Sequence, residues 1–166
     1  MKAQQDCERM KISWRIETAT AAHIPHIAAN MREADRREIW ASDRQTPEEA
    51  LTRSFALSVM CRTCVINGSP AFMWGVTRRG SILSDTGVPW LLGTNAITAV
   101  RRAFIKQSRA YVEMMQQPFA RLENIVHSEN ALSIRWLAWC GFTIEKEPVE
   151  RNGETFFPFW RVAACA

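Results

Sequence analysis

The sequence is short of several features that would point to a function class. No stretch approaches the roughly 20 continuous apolar residues of a membrane-spanning helix. The opening MKAQQDCERMKIS has no apolar centre, which argues against a secretory signal. Seven glycines and seven prolines in 166 residues exclude a collagenous or linker-like chain. Tyrosine occurs once, at Tyr111, and lysine only at Lys2, Lys11, Lys106 and Lys146, so arginine carries most of the positive charge. Acid is missing altogether from residues 86–112, which carry Arg101, Arg102, Lys106 and Arg109. Such a run suggests phosphate, or else a solvated helix face.

The cysteines exclude more than they suggest. Cys7, Cys61, Cys64, Cys140 and Cys165 are odd in number and irregularly spaced, which argues for reduced thiols in a cytosolic compartment. Cys61 and Cys64 form a lone CxxC, and His23, His26 and His127 supply no second ligand pair, so no metal is expected. What is present is ordinary globular composition, 47% hydrophobic and 23% charged. With no linker and no repeat, residues 1–166 read as a single domain.

The order of elements follows from periodicity and turn chemistry. Ile12, Trp14 and Ile16 alternate as in a half-buried strand over 11–18. A helix capped by Thr18 or Thr20 continues through Ile24, Ile27, Ala28 and Met31 to Ile39 and Trp40. Thr46-Pro47-Glu48-Glu49 starts a second helix, with Leu51, Phe55, Val59 and Met60 on its buried stripe and an end near Cys61. Residues 62–92 read as an antiparallel meander with turns at Asn67-Gly68 and Arg79-Gly80, Ile82 and Leu83 opening its last strand. A long helix over 96–117 stops at Pro118. After a strand around Leu122, Ile125 and Val126, Ser128 caps a helix that Gly141 ends. A final hairpin turns at Asn152-Gly153, with Pro148 and Pro158 at edges or bulges. The string is β-α-α-β-β-β-α-β-α-β-β.

That order, with Asn130 followed by a helix and Gly141-Phe142, resembles the GNAT (GCN5-related N-acetyltransferase) superfamily. The resemblance implies an α/β fold: a mixed, mostly antiparallel sheet of about seven strands flanked by about four helices. Met31-Arg32-Glu-Ala-Asp35-Arg-Arg-Glu38, Gly87-Val-Pro-Trp90-Leu-Leu-Gly-Thr94 and Leu122-Glu-Asn-Ile-Val126 are also similar to a GNAT-like phage family that includes internal virion proteins of short-tailed phages. Two features depart from the enzyme pattern. The Gly-rich loop that cradles the coenzyme A pyrophosphate is replaced by Leu92-Gly93-Thr94-Asn95-Ala96-Ile97. The tyrosine that often protonates the departing thiolate is replaced by Leu137, which cannot transfer a proton.

The resemblance implies acetyl-CoA as cofactor, held by Leu91, Leu92, Gly93, Thr94, Arg101, Arg102 and Asn130. Backbone N–H groups around Leu91 and Leu92 would stabilise the oxyanion. Asp35, Glu38 and His127 are the candidates to take a proton, and water, Ser133 or His127 to return one. Arg32 and Trp90 are the candidates to contact the acceptor. Each has a structural alternative: Arg32, Asp35 and Glu38 as a salt-bridged helix face, His127 and Ser128 as a helix-capping pair, and Tyr111 as packing on the apolar side of its helix.

The function these residues imply is acetyl transfer from acetyl-CoA to a small-molecule or protein amine by a phage protein in the host cytoplasm. The alternative is a catalytically degenerate virion or assembly protein on the same fold, with other virion proteins as partners. Nucleic-acid binding ranks last, because the basic helix has no base-stacking motif beside it.

Overall fold

The computed structural model describes residues 12–163. In chain order the elements are β1 (Trp14–Thr18), α1 (Ile24–Ala29), α2 (Glu33–Asp43), α3 (Pro47–Leu57), β2 (Ser58–Ile66), β3 (Ser69–Arg78), β4 (Thr86–Gly93), α4 (Arg101–Gln116), β5 (Arg121–His127), α5 (Ala131–Trp139), β6 (Thr143–Ile144), β7 (Val149–Arg151) and β8 (Glu154–Val162). Short 3₁₀ turns precede α1 and α4, at Ala21–His23 and Asn95–Val100. The sheet runs β1-β2-β3-β4-β5-β8-β6, with β7 also on β8. Every pairing is antiparallel except β4 with β5, which touch only at Thr86↔Arg121 and Gly87↔Leu122 and then diverge.

Side-chain alternation along the strands divides the core between two faces. Phe72, Trp74 and Val76 of β3 face α4 and α5 and pack with Val112, Met115, Leu122 and Leu137. Met73 points the other way, onto Ile24, Ile27 and Leu51 of α1 and α3. Full burial of such side chains stabilises by about 1.5–3 kcal/mol each. The meander turns where Asn67 and Gly68 adopt φ of 48° and 84°, the left-handed conformation that this pair tolerates.

Several boundaries differ from the sequence reading. The first long helix is two: Asn30-Met31-Arg32 breaks it, because Met31 leaves the helix to bridge Thr94 at the end of β4. α3 stops at Leu57, so Val59 and Met60 belong to β2, and Val59 is exposed. Ile82 and Leu83 lie in the β3–β4 turn and are exposed, not on a strand. The helix expected from 96 begins at Arg101, because Asn95–Val100 winds as a 3₁₀ turn. Asn130, not Ser128, caps α5, accepting from Ser133 N at 3.2 Å. Pro158 sits inside the sheet at a non-hydrogen-bonded pair with Ile125, where β5 asks no donor of it, and its carbonyl accepts from Glu145 N at 2.8 Å. Cys61 and Cys64, three apart on β2, face opposite sides of the sheet and cannot grip one ion. Burial pushes their thiols up to about 12 and about 11.

Candidate functional site at the opening between β4 and β5

The opening starts at Gly87. A Cβ there would lie 2.6 Å from Phe119 and 2.8 Å from Leu122, so the bare backbone is what lets β4 and β5 touch before they part. Beyond that point β4 directs alternate backbone groups to β3 and to the opening. Thr94 N–H reaches Ala71 O of the β3 side at 2.8 Å. By alternation Leu92 also turns its N–H to β3, while Gly93 and Leu91 turn theirs to the opening, where Pro89, which has no N–H, presents its carbonyl.

Each end of the opening is closed by a side chain. Near the base, Asn124 Nδ2 donates to Pro89 O of β4 at 2.9 Å while its Oδ1 accepts from Ile125 N on β5. One amide thus stands in for the missing strand–strand ladder. At the far end, α2 holds both lips. Gly93 N donates to Asp35 Oδ2 at 2.9 Å, and Gly93 O accepts from Arg32 N at 2.9 Å. On the other lip, His127 N donates to Glu38 Oε1 at 3.2 Å and Asn130 Nδ2 donates to Glu38 Oε2 at 2.7 Å. Between these closures lies Leu91. No β5 residue pairs with it, and among the described residues no side chain bonds its N–H.

The two carboxylates are unusual for a charged helix. Asp35 is 5% exposed and takes a bidentate pair from Arg32, Nη2 to Oδ1 at 2.7 Å and Nε to Oδ2 at 3.0 Å. Burial nevertheless raises its pKa from the ordinary value, against the pull of Arg32 and of the Gly93 amide. Burial likewise raises that of Glu38, opposed by the Asn130 and His127 donors and helped by the charge of Asp35. A solvated, salt-bridged face is therefore not what α2 presents here: Asp35 and Glu38 point inward, and Arg32 is the residue that precedes the helix. A carboxyl whose pKa is raised is, once ionised, a stronger base than a solvated one, which suits it to proton transfer.

His127 is buried at 8% and both ring nitrogens are engaged. Nδ1 accepts from Glu129 N at 3.2 Å, which leaves the proton on Nε2, 3.4 Å from Glu154 Oε2. The structure thus brings Arg32, Asp35, Gly93, Thr94, Glu38, His127 and Asn130 around the opening. It does not bring Trp90 there: that indole lies on the α1–α3 face and donates to Ser58 Oγ at 2.9 Å. Arg101 and Arg102, both exposed, begin α4 and line a separate depression of about 350 Å³ with Trp14 and Thr98. Leu137 is 6% exposed inside the core, and Tyr111 packs on Trp74 at 4.6 Å, its hydroxyl donating to Gln107. Among the described residues, no three His, Cys, Asp or Glu converge as metal ligands.

Sequence reasoning missed Asn124. The signal was available, since it shares the inward face of β5 with Leu122 and Val126, where an amide needs partners. Trp74 Nε1 was missed too: among the described residues it is the buried side-chain polar atom without a hydrogen bond.

No family model matches the chain, and no curated protein matches its sequence. Solved structures do match its fold. A Bacillus subtilis acetyltransferase in complex with CoA superimposes with a TM-score of 0.60 at 9% identity, over 93% of this chain and 100% of that one. The ribosomal-protein-S18-alanine N-acetyltransferase from Escherichia coli gives 0.63 at 15% identity, over 93% and 96%. An acetyltransferase of the GNAT family from Streptococcus pneumoniae gives 0.58 at 14%, over 91% and 100%. The mixed sheet that parts between β4 and β5, with helices on both faces, is the fold of the GNAT acetyltransferases.

Proposed function

We propose that this chain binds acetyl-CoA and transfers its acetyl group to an amine, with Glu38 as the base. The observation that carries the reading is the free Leu91 N–H, set in the opening between the Asn124 and α2 closures and near buried Asp35 and half-buried Glu38, both with raised pKa. Acetyl-CoA supplies the activated acyl group. The chain's part is to hold it, position the amine and move protons. Leu91 N–H is the donor available to a carbonyl oxygen as it gains charge. Glu38 keeps lone pairs free after accepting from Asn130 and His127, so it can take the amine proton. Asp35 and Arg32 hold the Gly93 end of β4 in place. Thr94 caps the 3₁₀ turn by accepting from Ala96 N at 3.2 Å, and Arg101 and Arg102 follow as cations for phosphate. With Leu137 in the core, water, Ser133 or His127 returns a proton to the thiolate.

The acceptor in this reading is a small-molecule or protein amine, and the setting is the cytoplasm of a phage-infected host. The test is CoA release from acetyl-CoA across a panel of primary amines, read by thiol titration. Release that Glu38→Gln cuts by about 10²–10⁴-fold supports the reading, and full activity in that variant removes Glu38 as base.

A second reading rests on Asn124. Its side chain spans the place where the strands part, and two depressions on the surface lie elsewhere, along α3 and beside β1. A GNAT-fold virion or assembly protein without acetyl transfer has this closed form as its working state. Absence of CoA release with every amine, together with absence of acetyl-CoA binding, favours it.

A further inference from the structure

α4 and α5 lie side by side: Phe104 stacks on Trp136 at 5.6 Å, Trp136 Nε1 donates to Ser108 Oγ at 3.0 Å, and Arg109 Nε donates to Trp139 O at 3.0 Å. Their outward surface has an unusual composition. Arg102, Lys106 and Arg109 recur at i, i+4 and i+7 along α4, and Leu132, Arg135 and Trp139 at i, i+3 and i+7 along α5. These are two stripes beside one seam. α5 has no acid, and the one acid of α4, Glu113, is paired with Arg161. Elsewhere Arg15, Arg32, Arg37, Arg79, Arg121 and Arg151 each meet a carboxylate, and Arg36, Arg44, Arg62 and Arg78 bond neutral oxygens; unpaired cations are clustered only along α4 and α5 among the described residues. Among the described residues, Arg101, Arg102, Lys106, Arg109 and Arg135 form no salt bridge, although all are exposed.

The aromatic component is also in place. The Arg109 guanidinium lies over the Trp139 ring at 4.4 Å from its centroid, and Trp139 stays 40% exposed, with Leu132 at 68% beside it. Unpaired cations about 6 Å apart along a helix, next to an exposed aromatic ring, suit a polyanion that carries stackable bases. An anionic membrane surface fits less well, because cations interrupt the apolar positions and no continuous apolar face results.

We infer that the outer face of α4 and α5 binds the phosphate backbone of single-stranded nucleic acid, with Trp139 and Arg109 as a stacking platform. This surface shares Arg102 with the phosphate site proposed for acetyl-CoA and otherwise uses residues that acetyl transfer does not. The base-stacking partner that the basic helix lacks in sequence comes from α5 through the fold.

The test is fluorescence anisotropy of the full chain with a labelled 12-residue oligothymidylate, from low to physiological salt. Binding is expected with log K falling against log salt at a slope of about −2, as for three neutralised phosphates on a single strand. Lys106→Gln with Arg135→Gln, neither near the opening, is expected to flatten the slope by about 1.4. Trp139→Leu is expected to weaken binding about tenfold, with the helical circular dichroism unchanged. Absence of binding at low salt overturns the inference. So does equal loss in an Arg15→Gln, Arg62→Gln control, or preference for anionic phospholipid vesicles over the oligonucleotide. Acetyl-CoA binding is measured on the same variants: if it survives while the oligonucleotide is lost, the two functions separate.

Discussion

α2 and α4 both bring charge to the same protein, and they do it in opposite ways. On α2 two carboxylates are turned inward and matched: Asp35 by Arg32 and Gly93 N, Glu38 by His127 N and Asn130. On α4 the basic side chains Arg101, Arg102, Lys106 and Arg109 are turned outward and meet no carboxylate among the described residues. A buried charge must find its partners inside the fold or lose its ionisation, whereas an exposed one can wait for a partner from solution. The first arrangement is therefore a built site whose geometry is part of folding. The second is a surface whose partner lies outside the molecule. Substitutions on α2 should act on stability first, and those on α4 on binding with little effect on stability.

The largest effect should come from Asp35→Ala. It leaves the partly buried Arg32 guanidinium and the Gly93 N–H without their acceptor, and removing one partner of a buried pair costs about 3–5 kcal/mol. Urea unfolding checks this, and a loss under about 1 kcal/mol would mean that Asp35 behaves as a surface charge after all. Glu38→Gln comes next, at about 2 kcal/mol, because the amide cannot accept from both His127 N and Asn130 Nδ2. Its pH dependence sharpens the point. The folded pKa of Glu38 lies above its ordinary 4.5, so its contribution is full below that value and is lost as pH rises through the folded pKa. The stability gap between the native chain and Glu38→Gln should therefore be wider in acid than at neutral pH. A gap that widens on raising the pH would mean that the ionised form is the favoured one.

Leu137→Tyr is expected to cost about 1–3 kcal/mol and to restore no catalysis, because position 137 is packed inside the core. A rate gain in that variant would show that α5 moves. The smallest change belongs to Trp74→Phe. Its indole N–H has no partner, so losing that donor relieves a buried unsatisfied group and offsets part of the lost ring area. A net loss of less than about 2 kcal/mol is expected, against about 3–5 for deleting a core aromatic to alanine.

The sequence made the meander and both Asn-Gly hairpins legible, because these turns are set by local backbone chemistry. It also placed Asp35, Glu38, His127 and Asn130 in one candidate set through family resemblance. Their contacts were not legible. Glu38 meets His127 and Asn130 across about 90 residues of chain, and no local pattern announces a pairing of that separation. The break at Asn30-Met31-Arg32 was hidden because Met31 fits the helical apolar period while its backbone is taken by Thr94, a tertiary demand that overrides propensity. Trp90 was misplaced for a related reason. Knowing that a strand borders the opening does not say which face each side chain takes, and the register that turns Trp90 to Ser58 is fixed by pairing with Gly75 of β3.

The central claim is that the opening between β4 and β5, together with the start of α4, receives acetyl-CoA. Calorimetric titration with acetyl-CoA, repeated with free CoA and with the Arg101→Ala, Arg102→Ala double variant, tests it before any acceptor amine has to be known. One-to-one binding of both ligands is expected, with a clear loss of affinity, about tenfold or more, in the double variant. Absence of heat and of binding with acetyl-CoA and CoA alike would contradict it and leave the closed, non-catalytic form as the function of the fold.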